Sequence, residues 1–265
     1  MNYSNKDHTF AVCAYKESPF LEETIISLVN QTVKTNIIIA TSTPNAYIQG
    51  LAERYHIPVY VNDGIKGIGG DWNFAVRSAQ TELVTIAHQD DIYEPGYAEA
   101  MLKAMNNAKQ PLIAFSHYAE LRDGEKVFSN QLLKIKKMLL IPMKLFPGSI
   151  FMRRRSLSLG NAICCPAVTY VRDVILKHPF NLELSCNLDW AQWEALSKLK
   201  GSFAYVDKPL MCHRIHEGST TSEIIGENKR TTEDLQMFCA FWPKPIAKAL
   251  AKVYATSEKS NNLDS

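Results

Sequence analysis

One stretch of the chain limits the possible folds more than any other, because an apolar run ends there in a cluster of ionisable side chains. Residues Leu83–Ala87 favour a strand, and His88, Gln89, Asp90 and Asp91 follow at once. Adjacent carboxylates repel each other and shift each other's pKa unless a cation lies beside them. In open α/β sheets, ligands bind beyond the carboxyl ends of the strands. The stretch therefore predicts a buried strand leading to a metal or catalytic site. The alternative, an aspartate that only caps the following helix, stays open.

The rest of the first half alternates between strands and helices. Apolar runs at residues 9–15, 36–40 and 58–61 predict strands, and segments with helical spacing of apolar residues separate them. This alternation is typical of parallel βαβ units and predicts an α/β fold with a mostly parallel central sheet flanked by helices. A glycine-rich segment at 64–70 precedes a helix that Asp71 is expected to cap. Its spacing matches neither the Walker loop nor the dinucleotide-binding loop.

The second half predicts a single domain that ends in helices. Strands are expected at 112–116, 167–171, 202–206 and 210–215, and a helix is expected from Leu188. The chain becomes helical and polar from Glu227, and a flexible tail is expected from Ser257. We therefore expect one domain over residues 1–222, made of an N-terminal half (1–117) and a second half (118–222). A C-terminal helical segment with a flexible tail follows at 223–265.

Composition excludes several classes of protein. The net charge of +2 and the pI near 8.1 are too mild to indicate binding to nucleic acid. No apolar run approaches the roughly 18 residues of a spanning helix. The six cysteines show no Cys-x-x-Cys spacing and indicate reduced thiols, so we expect a cytoplasmic protein.

The basic residues are unevenly placed. No acidic residue occurs between Glu125 and Asp173, whereas nine lysines and arginines fall in that span among many apolar residues. Such a basic amphipathic segment, centred on residues 130–155, predicts either peripheral contact with an anionic membrane or contact with an anionic substrate. A solvated helical face over a core stripe is the open alternative.

The order of these features resembles that of a family 2 glycosyltransferase. The resemblance rests on the first strand ending in Tyr15, the helix that opens with Ser18-Pro19, the acidic strand end at Asp90, and Asp189 opening a helix about a hundred residues later. It spans about residues 9–220. It implies the GT-A fold, a nucleotide-sugar donor, a divalent cation and transfer of the sugar with inversion.

Residue by residue, the resemblance implies a nucleotide-sugar pocket at the strand ends. Its members would be Ala14, Tyr15, Glu17, Thr41, Ser42, Gly70, Asp71, Trp72, Gln89 and Asp90. The family usually has an aspartate pair at the end of the second strand, where this chain has Thr41 and Ser42. Asp71 would then take over recognition of the base or ribose.

The resemblance also implies a metal site and a diphosphate site. Asp90 matches the family's metal-ligand position, with Asp91, His88 and His216 as further ligands, although His88 replaces an acid. Oxygen ligands suit Mg²⁺ or Mn²⁺, and an imidazole favours Mn²⁺. Arg214 would hold the diphosphate. On a strand, His213 and His216 would point to opposite faces, so we expect only His216 to face the site.

The expected catalytic base is Asp189, which would accept the proton of the acceptor hydroxyl. A helix N-cap is the open alternative for this residue. Trp190 and Trp193 are expected to stack on an acceptor sugar, with core packing as the alternative.

Two other functions stay open. Residues 87–91 resemble the Ala-His-Pro-Asp-Asp of zinc-dependent sugar N-deacetylases, although Gln89 replaces the proline, Ile92 stands where a glutamate is usual, and that family has the motif on its first strand. The second open function is that of a non-catalytic protein that binds sugar-nucleotides. The favoured hypothesis is an inverting glycosyltransferase using a UDP-sugar. Its acceptor would be a hydroxyl of a glycan or lipid-linked molecule in cell-surface polysaccharide synthesis, at the inner face of the membrane.

Overall fold

The chain forms one mixed sheet flanked by helices in the part that the computed structural model describes, residues 2–216 and 227–263. The strands are β1 (His8–Ala14), β2 (Asn36–Thr41), β3 (Val59–Val61), β4 (Leu83–His88), β5 (Ile92–Tyr93), β6 (Pro111–Arg122), β7 (Glu125–Val127), β8 (Val168–Val171) and β9 (Ser202–Ile215). The helices are α1 (Leu21–Val29), α2 (Ala46–Tyr55), α3 (Ile68–Ser78), α4 (Tyr97–Asn107), α5 (Gln131–Leu145), α6 (Ile150–Leu157), α7 (Arg172–Lys177), α8 (Leu188–Ser197), α9 (Glu227–Cys239) and α10 (Lys244–Leu263).

The strand order is β3-β2-β1-β4-β8-β6-β9-β5, and β7 forms a hairpin with β6. The first four strands run parallel, and β6 and β9 are parallel to each other. Strand β8 lies antiparallel between β4 and β6, and β5 is antiparallel to β9. The predicted α/β class with a mostly parallel sheet is confirmed.

Helices cover both faces of the sheet, which explains why β1 and β4 are almost entirely buried. One core contains apolar residues of α1, α2 and α4. The other contains residues of α3 and α8 together with Phe238 and Ala247 of the C-terminal helices. The C-terminal helices therefore pack on the main core. No helix among the described residues is long and apolar enough to span a membrane.

Several boundaries differ from the sequence-based prediction. The two strands expected at 202–206 and 210–215 form the single strand β9. It pairs with β6 along its length, and the register of the pairing shifts near His117. Helix α3 begins at Ile68 after Gly67, so Asp71 lies in its first turn and does not cap it. Helix α10 continues to Leu263, over most of the predicted flexible tail. The predicted domain boundary at 222 lies outside the described residues.

Candidate active site

The carboxyl ends of β1, β2 and β4 form one edge of the sheet. Ala14 pairs with Thr41 and Cys13 pairs with His88, so the residues that follow the three strands are neighbours. Gln89 joins two of these segments, because its Oε1 accepts a hydrogen bond from the Tyr15 N–H at 2.8 Å. The Tyr15 ring is exposed at this edge, as is Glu17 two residues later.

Asp71 lies at the same edge and is held by two neighbours. Its carboxylate accepts hydrogen bonds from the Ser42 hydroxyl (2.9 Å) and the Asn62 amide (2.7 Å). The buried Thr41 faces inward, and its hydroxyl accepts from the Thr43 N–H at 3.1 Å. The structure thus groups Ser42 with Asp71, and it adds Asn62, which sequence reasoning missed.

Gly70 has a packing role that the sequence did not reveal. A Cβ atom at this position would lie 2.2 Å from the Ile65 carbonyl oxygen, a distance that no side chain tolerates. Only glycine therefore allows α3 to lie against the preceding loop. The next-but-one residue, Trp72, stacks on His88 with ring centroids 5.4 Å apart and planes inclined by 14°.

The acidic turn after β4 is surrounded by imidazoles. The Asp90 carboxylate is 3.0 Å from Nε2 of His216, and the Asp91 carboxylate is 3.0 Å from Nδ1 of His213. The other Asp91 oxygen lies 3.7 Å from Nδ1 of His88. The prediction that only His216 would face this turn is wrong, because β9 ends at Ile215 and strand alternation does not extend to His216.

Asp91 is completely buried, which would disfavour its charged form. Nevertheless its pKa lies below the ordinary value: the burial effect is outweighed by the charge and hydrogen bond of His213, by His88, and by the hydrogen bond from the Arg214 N–H at 2.9 Å. The pKa of His213 is raised by Asp91 in spite of burial. The two side chains form an ion pair in which Asp91 is fully buried and His213 is partly exposed.

Arg214 supports this turn from behind. Its Nε donates to the Asp90 carbonyl oxygen at 2.8 Å, its guanidinium forms an ion pair with Glu23, and it lies 4.3 Å from the centre of the Phe20 ring. The sequence assigned Arg214 to the donor's diphosphate, but its side chain is directed to protein groups and braces the loop.

A divalent cation fits the donor set at this turn. Ligand atoms of His88, Asp90 and Asp91 lie within 4.8 Å of one another, and His216 adds a fourth donor beside Asp90. In two of these residues a possible ligand atom, Nε2 of His88 and Oδ2 of Asp91, is buried with no hydrogen-bond partner. Unpartnered buried polar atoms are rare, and a missing ion is one of their ordinary explanations.

Asp189 lies in the first turn of α8, and its carboxylate is held by protein donors. The Asn161 amide donates to Oδ2 at 2.7 Å, and the Trp190 N–H contacts Oδ1 at 2.7 Å. Burial raises the pKa of Asp189, while the hydrogen bonds and the charges of Lys136 and His88 oppose the rise. Helix α3 links the start of α8 to the acidic turn, because a Cβ atom at Gly69 would lie 2.6 Å from Leu188 Cδ2 and Trp72 stacks on His88.

The two tryptophans of α8 are core residues. Trp190 and Trp193 are both fully buried: Trp190 packs on Phe238 and Trp193 stacks on Tyr170. The expected stacking on an acceptor sugar is therefore wrong, since no ring face is accessible.

Sequence reasoning missed two polar residues near Asp189. Asn161 holds the carboxylate, and its Oδ1 is buried with no partner. Lys136, on α5, donates to the Tyr118 hydroxyl at 2.8 Å, and its charge acts on both Asp189 and His213. The basic character of residues 130–155 was the only signal, and it did not single out Lys136.

Solved structures with the same fold include several that hold nucleotide-sugars. The Staphylococcus aureus TarS fragment 1–349 with UDP-GlcNAc has a TM-score of 0.65 at 13% identity, over 92% of this chain and 70% of that one. The mannosyltransferase PcManGT from Pyrobaculum calidifontis, with GDP-Man and Mn²⁺, has a TM-score of 0.63 at 14% identity, over 96% and 70%. Glucosyl-3-phosphoglycerate synthase from Mycobacterium tuberculosis, with Mn²⁺, UDP-glucose and phosphoglyceric acid, has a TM-score of 0.54 at 12% identity, over 80% of this chain and 72% of that one.

No curated protein matches the chain. The family model described as glycosyl transferase family 2 matches residues 9–178, which is more than half of the chain and extends from the second residue of β1 to just past the end of α7. The chain is a family 2 glycosyltransferase with the GT-A fold.

Proposed function

We propose that the protein is an inverting glycosyltransferase that moves a sugar from a nucleotide-sugar, with a UDP-sugar favoured, to a hydroxyl of a glycan or lipid-linked acceptor. Cell-surface polysaccharide synthesis is the proposed pathway. Two of the three similar structures described above hold a uridine nucleotide-sugar. The six free cysteines are consistent with a reducing compartment, and we propose a cytoplasmic location at the inner face of the membrane.

One observation carries the proposal. The acidic turn brings Asp90 to His216 at 3.0 Å, and α3, whose Trp72 stacks on His88, also lies against Leu188, the neighbour of Asp189. A cation site and a separate carboxylate near it are the two elements that metal-assisted sugar transfer needs.

The residues divide the chemistry between them. Asp90 and His216, with His88 and Oδ2 of Asp91 beside them, would hold Mn²⁺ or Mg²⁺. That cation would supply Lewis-acid stabilisation of the charge that develops on the leaving diphosphate. Asp189 accepts the proton of the acceptor hydroxyl, while the oxygen of that hydroxyl forms the new bond to the anomeric carbon. The bond from that carbon to the diphosphate breaks on the opposite face, which inverts the configuration.

On the donor side, Ser42, Asp71 and Asn62 form a hydrogen-bonded group where the family usually has an aspartate pair. We propose that this group, together with Tyr15, Gln89 and Trp72, binds the nucleoside. The zinc deacetylase alternative loses support, because the His-Gln-Asp-Asp sequence follows the fourth strand of a glycosyltransferase fold.

The test is a thermal-shift screen of UDP and GDP with and without Mn²⁺, followed by hydrolysis of UDP-sugars in the absence of acceptor. We expect UDP with Mn²⁺ to stabilise the protein and Asp90→Ala to abolish both the shift and the hydrolysis. Asp173→Ala, an exposed aspartate of α7, is the matched control and should change neither. Acetate release with Zn²⁺ and no response to nucleotides would refute the proposal.

A further inference from the structure

Helix α5 is apolar on two opposite faces. Its inner face consists of Leu133, Leu140 and Met143, which are buried in the protein. Its outer face carries four exposed apolar side chains: Ile135, Met138, Ile141 and Leu145. At about 100° per residue these four fall within an arc of about 120°, so they form one stripe along the helix. Packing against the core explains the inner face, and no element within residues 2–216 and 227–263 covers the outer one.

The apolar exposure continues past the end of α5. Phe146 lies in the turn after it, and Ile150 and Phe151 begin α6. The seven side chains, which we call the α5–α6 apolar surface, are between 42% and 66% exposed. Single exposed apolar residues are common, but a run of this kind on a soluble domain marks an interaction site.

The charges beside this surface are basic. Lys134 is exposed within the stripe, and Lys137 and Lys144 lie along one edge of it, where both contact Asp207 at 3.0 and 2.7 Å. Asp207 comes from β9, and α5 and α6 themselves contain no acidic residue. The ligand of this surface should therefore be apolar with anionic groups at its margin.

The arginines of α6 do not contribute to this charge as the sequence suggested. Arg153 is fully buried and donates to the carbonyl oxygens of Ser197 (2.8 Å), Leu199 and Gly201 at the C-terminal end of α8. Arg154 forms an ion pair with Glu194 at 2.9 Å. These two side chains hold α6 against α8, so the basic surface is smaller than residues 130–155 as a whole.

We propose that the α5–α6 apolar surface rests on an anionic lipid bilayer. The apolar side chains enter the boundary between headgroups and acyl chains, and Lys134, Lys137 and Lys144 lie at the level of the lipid phosphates. A helix that lies in the plane of a membrane has this combination of an apolar stripe and flanking lysines. A protein partner would require a complementary apolar groove, and the absence of acidic residues on both helices favours lipid.

The same helix reaches the acidic turn through one side chain. Lys136 points inward from α5 to the Tyr118 hydroxyl, and the Tyr118 ring lies 6.4 Å, centroid to centroid, from that of His213. A bilayer held by the outer face of α5 would thus lie one helix diameter, about 10 Å, from the inner face that carries Lys136. A lipid-linked acceptor could then reach Asp189 while its lipid stays in the membrane, a consequence that rests on the proposed function.

Vesicle flotation of the whole chain tests the docking surface directly. We expect the protein to float with phosphatidylcholine vesicles that contain about 30 mol% phosphatidylglycerol and not with pure phosphatidylcholine. The double variant Met138→Glu with Leu145→Glu should reduce the floating fraction about tenfold or more, because each change sets a charge in the apolar stripe. Val253→Glu, an exposed apolar residue of α10, is the matched control and should float like the wild type.

Three results would overturn the proposal: no flotation of the wild type on anionic vesicles, unchanged flotation of the double variant, or self-association in sedimentation that the double variant abolishes while flotation is absent. The last result would assign the surface to a second copy of the chain. Thermal shifts by UDP and Mn²⁺ are measured on the same samples and should be equal in wild type and variants. Their absence throughout would refute the proposed function without affecting the docking surface.

Discussion

Asp90 and Asp91 are adjacent in sequence, but their environments predict opposite effects of mutation. The Asp91 side chain is 0% exposed and pairs with His213 and the Arg214 N–H. The Asp90 side chain is 19% exposed, and the structure gives it a hydrogen bond to His216. We predict that Asp91→Ala strongly destabilises the protein, whereas Asp90→Ala leaves its stability nearly unchanged and removes metal-dependent donor binding.

The size of the difference follows from burial. Removing one partner of a fully buried ion pair costs about 3–5 kcal/mol, because the other charge is left uncompensated. The His213 side chain is 32% exposed and Oδ2 of Asp91 has no partner, so the expected loss is at the lower end of that range. At about 2–4 °C per kcal/mol for a domain of this size, Asp91→Ala should lower the Tm by about 6–12 °C. The partly exposed Asp90 pair contributes about 0–1 kcal/mol, so Asp90→Ala should lower the Tm by less than about 4 °C.

The pH dependence of the Tm difference between wild type and Asp91→Ala supplies a second measurement. The lowered pKa of Asp91 means that its contribution to stability is present above its ordinary value of 3.8 and is lost as the pH falls through the lower pKa of the folded state. The raised pKa of His213 has the opposite sign, and its contribution is present below 6.5 and lost as the pH rises through the folded value. The gap in Tm between wild type and Asp91→Ala should therefore be widest between pH 3.8 and 6.5.

Thermal unfolding followed by circular dichroism, first without metal and then with UDP and Mn²⁺, measures both effects. Asp173→Ala is again the control for loss of a surface carboxylate. Two results would refute the assignment of the buried Asp91 to an ion pair with His213. One is an equal loss of Tm in Asp90→Ala and Asp91→Ala, and the other is a Tm difference between wild type and Asp91→Ala that does not narrow above pH 6.5.

Further predictions concern the base and the core. Asp189→Asn should abolish sugar transfer and leave the UDP–Mn²⁺ thermal shift intact. Because burial raises the pKa of Asp189, the acid limb of kcat/KM should lie above pH 3.8, and Asn161→Ala, which removes a hydrogen bond to the charged form, should move it higher. Gly70→Ala should lower the Tm, because the new Cβ atom would clash with the Ile65 carbonyl oxygen. Gly50 lies in open space within α2, so Gly50→Ala should raise the free energy of unfolding by about 0.5–1 kcal/mol. Trp193→Ala should cost about 3–5 kcal/mol in urea unfolding and have no specific effect on acceptor KM.

The strand ends were predictable from the sequence because parallel strands leave their carboxyl ends at one edge. An apolar run followed by polar residues marks both the strand and its end, as at Thr41 and His88. The same rule brings Tyr15 and Gln89 together. What it does not give is the antiparallel strand β8 between β4 and β6, since the residues that pair across it are about 55 to 90 positions apart in the chain.

Burial was the main property that the sequence left undecided. Trp190 and Trp193 lie in a helix with apolar residues on most sides, so helical periodicity could not show which face was covered. Asp90 and Asp91 are chemically identical, and only the position of β9 decides that Asp91 is enclosed by His213 and the Arg214 N–H. The Asp91 contacts join residues more than a hundred positions apart, and the rings that cover Trp193 and Trp190 are 23 and 48 positions away.

The protein environment moves the pKa values of Asp91 and Asp189 in opposite directions. Imidazoles and a backbone N–H keep Asp91 ionised although it is buried, so the acidic turn keeps negative charge for a cation. Asp189 has weaker compensation, and burial moves its pKa upward, towards that of a group that exchanges a proton. Carboxylates whose environments move their pKa values apart are the mark of divided acid–base roles. These opposite environments support the proposed roles, with the cation at the turn after β4 and the proton accepted by Asp189 at the start of α8.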